Sequence, residues 1–305
     1  MKKVIVLISS LLILNSCGIY KARVSSNSSL LTPRQIEAEY HPEGTVVESY
    51  HDCSVPGPAR RRTLVYLPKG YYDSDRRYPV FYLIHGARGN EAAWITKGNI
   101  LHYADSLYDC GAARPCIIVF PNLNHYRNDD DYGNSRSQGA VESFFKTAGR
   151  AESAFVRDVV EHIDSCFRTI PDKEHRAIAG MSIGALQSIY ISAWNPDIFD
   201  HVGMFSPMYK APPRHGGYGW FYGHLKDNLK SQFEDAPQTY DIEIGRADFF
   251  YPHIANYRRY LTRQGYEFQY FEYPGGHEWY NWEKAFCNFL KLISIWNSDS
   301  REQSM

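Results

Sequence analysis

The chain reads as one α/β domain: a mostly parallel central sheet with helices on both faces. Three observations carry that expectation. Short runs rich in branched and aromatic residues alternate with stretches of helical periodicity along most of the 305 residues. Several of these runs are apolar at every position, as strands covered on both faces are. The length suits a single large α/β unit, and neither an internal repeat nor a second-domain boundary interrupts the alternation.

Taken in order, residues 44–55 and 61–68 read as strands, the second with Leu64, Val65, Tyr66 and Leu67 suggesting burial on both faces. Residues 79–84 form a third, strongly apolar strand that runs into His85-Gly86-Ala87-Arg88-Gly89-Asn90. A helix is expected over 91–108, then a strand over 116–120. Residues 122–149 are polar, aromatic and loop-like, and too long for an idle connector. Phe155, Val156, Val159, Val160 and Ile163 give residues 152–167 a helical face. A short buried strand at 177–179, a sharp turn and a helix opening at 185–191 follow. Beyond them come a strand at 202–205, an irregular Pro/Gly/Tyr-rich segment at 207–223, a short helix, and a strand at 240–244. A helix over 252–264, a last strand over 267–272 and a closing helix over 282–295 complete the pattern.

The N-terminus has the form of a targeting segment. Lys2 and Lys3 precede an apolar stretch at 4–14 that is too short to span a bilayer in the usual way. It ends at Leu14-Asn15-Ser16-Cys17, which resembles the lipobox of bacterial lipoproteins; a plain secretory signal is the alternative. The expected organisation is a signal peptide at 1–16, a tether at 17–42, a folded domain at 43–297 and a polar tail at 298–305. The protein is accordingly expected to be exported and lipid-anchored through Cys17 to a bacterial membrane, the outer one first. Export permits disulfides among Cys53, Cys110, Cys116, Cys166 and Cys287, and Cys110 and Cys116 flank a turn that leaves pairing open. A net charge of −1 from 33 basic and 34 acidic residues gives no reason to expect nucleic acid as a partner. The 24 Tyr, 16 Phe and 6 Trp suit stacking on sugars or aryl groups, and equally an ordinary core.

The chemistry centres on Gly180-Met181-Ser182-Ile183-Gly184, a serine between glycines at a strand-to-helix turn. Such a nucleophile elbow exposes the serine hydroxyl and aims the first helical N–H groups at a developing oxyanion. A serine hydroxyl is a weak nucleophile, so it needs a base, and the base needs an orienting acid. Both occur in the expected chain order: Asp248 just past the strand at 240–244, and His277 in Gly275-Gly276-His277 just past the last strand. Asp241 and Glu243 fall within their strand, and Glu278 is too close to His277 to orient it. The backbones of Ala87 and Ile183 are the expected oxyanion donors. Trp94, Tyr132, Phe249 and Trp279 are candidate substrate contacts. Asp129-Asp130-Asp131 with Asn134 fails the spacing of a calcium loop, and Arg60-Arg61-Arg62 reads most simply as a solvated start of a strand. No metal and no cofactor are expected.

These residues resemble the esterase branch of the α/β hydrolases, which includes feruloyl esterases attached to xylanases, esterase D-like enzymes, enterochelin esterases and mycolyltransferase antigens. The resemblance rests on Tyr82-Leu83-Ile84-His85-Gly86 with Gly89-Asn90 and Trp94, on residues 174–184, and on Gly275-Gly276-His277-Glu278 with Trp282. It implies an α/β-hydrolase fold with Ser182 as nucleophile, Asp248 as acid and His277 as base. It also implies a serine esterase acting on carboxylic esters, such as feruloyl or acetyl groups on plant polysaccharide. Siderophore-ester hydrolysis and acyl transfer keep the same residues and remain open, as does a non-catalytic carbohydrate-binding lipoprotein. Ala185 departs from the further glycine many members carry, and Arg246-Ala247 lies in a region where relatives vary.

Overall fold

The computed structural model describes residues 19–20, 43–57, 59–87, 89–123, 148–208 and 218–294. The expectations placed on residues 1–16, on Cys17, on the loop that holds Asp129 and Tyr132, and on the tail 298–305 lie outside them. Nine strands form one sheet in the order β1-β2-β3-β5-β4-β6-β7-β8-β9. They are β1 (Ile19–Tyr20), β2 (Thr45–Asp52), β3 (Arg60–Leu67), β4 (Val80–Ile84) and β5 (Ile117–Pro121), then β6 (Arg176–Met181), β7 (His201–Phe205), β8 (Thr239–Gly245) and β9 (Gln269–Tyr273). From β5 across to β9 every pairing is parallel, as expected. β1, β2 and β3 run antiparallel to their neighbours and extend the sheet on one side.

β4 and β5 are apolar and buried at every position because both faces are covered, whereas β9 at the edge of the sheet is partly exposed. On β4, Phe81 and Leu83 pack into one core with helices α2 (Ile100–Asp109) and α8 (Trp279–Ile293). Val80, Tyr82 and Ile84 pack into the other with α4 (Glu161–Cys166), α5 (Ile183–Trp194), α6 (Leu225–Gln232) and α7 (Tyr251–Gln264). The buried face of α8 carries Trp282, Phe286, Phe289, Leu290 and Ile293 at helical spacing. Each large side chain so buried contributes roughly 1.5–3 kcal/mol of transfer free energy. α5 is buried along almost its whole circumference, so Ser188 returns its hydroxyl hydrogen bond to the Gly184 carbonyl and Gln187 donates to the buried Glu152.

Three expectations are corrected. The helix expected over 91–108 is two helices, α1 (Ala93–Thr96) and α2, separated by Gly98 and by Asn99 at φ 47°. A Cβ on Gly98 would stand 2.8 Å from the Trp279 ring and 2.9 Å from the Trp94 carbonyl, so the chain bends where another element presses on it. The arginine run is not a solvated face: Arg60 is exposed, but Arg61 and Arg62 are buried at 6% and 1% exposure. The helical segment expected over 152–167 is also interrupted. It opens with α3 (Arg150–Ser153) and passes through a π-turn at Val156–Val160 before α4. Cys110 and Cys116 are both free thiols, the first exposed and the second buried beside the Tyr108 hydroxyl at 3.3 Å.

β4 lies between β5 and β6, so the chain leaves β4 toward one side of the sheet and β6 toward the other. The carboxyl ends of these adjacent parallel strands open a crevice at the switch of strand order. Ser182 and Ala87 both lie just beyond it.

Candidate active site

Ser182 is the single residue between β6 and α5. Its backbone sits at φ 57° and ψ −115°, a conformation that non-glycine residues adopt only under constraint. Hydrogen bonds hold it there. The Ser182 N–H donates to the Phe205 carbonyl at 2.9 Å, and the Ser182 carbonyl accepts from Leu186 and Met208 N–H groups, each at 3.2 Å. The flanking glycines answer a different need. A Cβ on Gly184 would lie 2.4 Å from the His85 carbonyl oxygen, and one on Gly180 would lie 2.6 Å from Gly184 backbone. The turn is therefore pressed directly against the end of β4.

His277 follows β9 and Asp248 follows β8. Nδ1 of His277 and Oδ2 of Asp248 are 2.8 Å apart, and the second carboxylate oxygen accepts the Phe250 N–H at 2.8 Å. Burial works against ionisation of Asp248. Hydrogen bonds from His277 and from the Phe250 backbone outweigh it, holding the carboxyl below its ordinary pKa. The acid thus stays ionised at neutral pH. Phe249, Phe250 and Trp282 surround the imidazole, with ring centroids 4.5, 5.3 and 5.0 Å away.

Ser182 and His277 line one open cavity of about 530 Å³ together with Ala87 and Ile183. Its walls are mostly apolar: Met181, Met208, Phe249, Phe250, Trp279 and Trp282, with Lys97 at the same opening. Of the four substrate contacts expected, Phe249 and Trp279 are in this wall. Trp94 is not among the lining residues; it is 1% exposed, donates its indole N–H to the Ile84 carbonyl at 3.0 Å, and stands edge-on to Trp279 at 5.4 Å. It supports the wall from behind because its hydrogen bond to β4 draws it into the core. Tyr132 lies outside the described residues. Met208, Phe250 and Trp282 were not singled out as contacts. Trp282 was visible in the motif after His277, whereas Met208 sits in an irregular segment with no pattern to mark it.

Asp241 and Glu243 lie inside β8, 0% and 1% exposed, and Glu243 accepts from the Tyr273 hydroxyl and from Asn288 at 3.0 Å. Burial, with Glu243 beside it, pushes the Asp241 carboxyl well above its ordinary pKa, and burial pushes Glu243 up to about 7. Asp241→Asn is therefore expected to stabilise the fold. The unfolded acid ionises near its ordinary value while the folded one resists, so wild-type stability falls as pH rises above about 4. The amide escapes that cost. Urea titrations should show a higher midpoint for the amide variant at pH 7.5 and a gain that vanishes toward pH 4; a gain independent of pH would contradict it. Among the described residues no group of three or more His, Cys, Asp or Glu side chains is disposed to hold a metal ion.

The family model described as Putative esterase matches residues 57–241, more than half of the chain. The chain belongs to this esterase family. The matched region contains Ala87 and Ser182 and stops short of Asp248 and His277. A curated relative of this family member is the endo-1,4-beta-xylanase/feruloyl esterase of Xylanibacter ruminicola, 33% identical over 148 residues. The alignment spans 47% of this chain and 19% of that protein, so the esterase corresponds to a small part of its relative's length. Among solved structures, a ferulic acid esterase from the anaerobic fungus Anaeromyces mucronatus is 25% identical with a TM-score of 0.64, covering 84% of this chain and 91% of that one. The feruloyl esterase module from Clostridium thermocellum, solved with sinapinate, is 18% identical with a TM-score of 0.65, covering 90% and 93%. At that identity the second likeness speaks for the fold alone.

Proposed function

We propose that the chain is a serine carboxylic-ester hydrolase that removes feruloyl or acetyl groups from plant polysaccharide. The observation that carries this reading is the Asp248–His277 hydrogen bond of 2.8 Å, set in the same cavity as a serine held at φ 57° in a strand-to-helix turn. Ser182 attacks the ester carbonyl while Nε2 of His277 takes its proton, and Asp248 keeps Nδ1–H oriented and stabilises the imidazolium. The N–H groups of Ala87 and Ile183 hold the oxyanion, and the proton returns through His277 to the leaving alcohol. Water then enters by the same route in reverse and frees the acid. No step calls on a cofactor. The Met, Phe and Trp wall favours an aryl acyl group over acetyl, and the relatives, a xylanase joined to a feruloyl esterase and a ferulic acid esterase, point the same way.

The test is turnover of methyl ferulate, acetylated xylan and a siderophore ester by the wild type and by Ser182→Ala. Wild-type activity should be highest on methyl ferulate, and the alanine variant should lose on the order of a million-fold in kcat. Equal activity of the two proteins would end the mechanism, and preference for the siderophore ester would move the substrate class.

Anchoring through a lipid on Cys17 belongs to the same reading, with the mature protein held at a bacterial outer membrane and its catalytic domain beyond a tether. Among the described residues no helix is long and apolar enough to cross a membrane. Expressed in a bacterium fed labelled palmitate, the wild type should take up label and partition with membranes, and Cys17→Ala should do neither. Label retained by Cys17→Ala would exclude that anchor.

A further inference from the structure

The buried arginines of β3 lead to the loop that carries Ala87. Arg62 donates to Oε1 of Glu91 through Nε at 2.7 Å and lies 2.6 Å from it through Nη2, both residues being 1% exposed. Nη1 of Arg62 also lies 3.4 Å from Oε1 of Glu48, whose side chain is partly exposed and keeps water as a partner if Arg62 is replaced. The Arg62–Glu91 pair itself is fully removed from water, and such a pair is a poor stabiliser. Two desolvation costs offset most of its attraction, and apolar residues of similar volume commonly serve stability as well or better. Its directional bonds remain. Oε2 of Glu91 accepts from Nδ2 of Asn122 at 2.7 Å, and Nη1 of Arg61 donates to the Asn122 carbonyl at 3.0 Å.

The adjoining residue continues the chain of bonds. The Leu123 N–H donates to Nε2 of His85 at 3.2 Å, which leaves the imidazole proton on Nδ1 to be donated to the Gly86 carbonyl at 2.8 Å. The same carbonyl accepts the Gly89 N–H at 3.1 Å. Gly86 C=O and Ala87 N–H belong to one trans peptide and point in opposite directions. Turning the carbonyl inward to His85 and Gly89 therefore turns the Ala87 N–H the other way.

We infer that the Arg62–Glu91 pair is a positioning element for the oxyanion loop, acting through Asn122 and His85 on the Gly86–Ala87 peptide. The inference rests on the reading of Ala87 as an oxyanion donor. In this role the pair touches no substrate. It fixes the direction of one N–H group, which matters when charge develops on the carbonyl oxygen and hardly at all while substrate binds.

The test replaces both charges at once with apolar residues of similar size, Arg62→Met with Glu91→Leu, and measures kcat and KM on methyl ferulate alongside the melting temperature. The double variant should stay folded with a melting temperature within a few degrees of wild type, keep KM within about threefold, and lose roughly tenfold to a hundredfold in kcat. A folded double variant with wild-type kcat overturns the inference. So does a loss that disappears on cooling the assay below the onset of unfolding, because that is what a merely structural role would produce. Should the double variant fail to fold, Asn122→Ala decides: lower kcat at unchanged KM supports the relay, and unchanged kcat overturns it. Wild type and Ser182→Ala are run in the same assay. An inert wild type would bring down the esterase reading and this inference with it, whereas an active wild type beside an unimpaired double variant brings down only the inference.

Discussion

Replacing Asp248 with asparagine is expected to lower kcat about ten-thousandfold while KM and thermal stability stay near wild type. The substitution is nearly isosteric, and the Phe250 N–H can still find an amide oxygen. What changes is the partner offered to Nδ1 of His277, now 2.8 Å from an ionised carboxylate. An amide cannot stabilise the imidazolium, and with its NH₂ turned toward the ring it favours the tautomer whose Nε2 already carries a proton. Such a ring cannot accept the Ser182 proton. Steady-state kinetics on an aryl ester at pH 7.5 check the expectation. A variant keeping a tenth of wild-type kcat would mean that another group orients the imidazole.

Gly184→Ala should have the largest effect on folding. The added methyl would meet the His85 carbonyl at 2.4 Å and the Ile84 carbonyl at 2.6 Å, and both are backbone atoms at the end of a central strand. Neither can yield without moving β4 or the elbow. Overpacking at a site that can relax costs about 1–3 kcal/mol; here the expected loss is about 3 kcal/mol or more, a large share of a domain's total stability. Soluble yield and the urea midpoint are the measurements. A well-folded, fully active Gly184→Ala protein would show that the helix and β4 are further apart than described.

The alternation of strands and helices was legible because both periodicities arise from local geometry, and β4 and β5 betrayed themselves by lacking a polar face. The nearness of Ser182, Asp248 and His277 was legible for a related reason: each follows a strand at the same edge of the sheet, so chain order already implies it. Trp94 was misplaced because a tryptophan in a wall and one behind it look alike until the hydrogen bond to Ile84 is known. The break at Gly98 escaped detection since the pressure comes from Trp279, 181 positions along the chain. Arg61 and Arg62 were read as solvated because charge usually is, and only the sheet brings Glu91 and Asn122 to meet them.

That pressure at Gly98 bears on how such a protein can diversify. The ring of Trp279 forms part of the cavity wall on one side and rests near the Gly98 backbone on the other. Position 98 is thus a setting screw for the width of that cavity, reachable by a single codon change. Selection could retune what the cavity admits while Ser182 and His277 stay untouched.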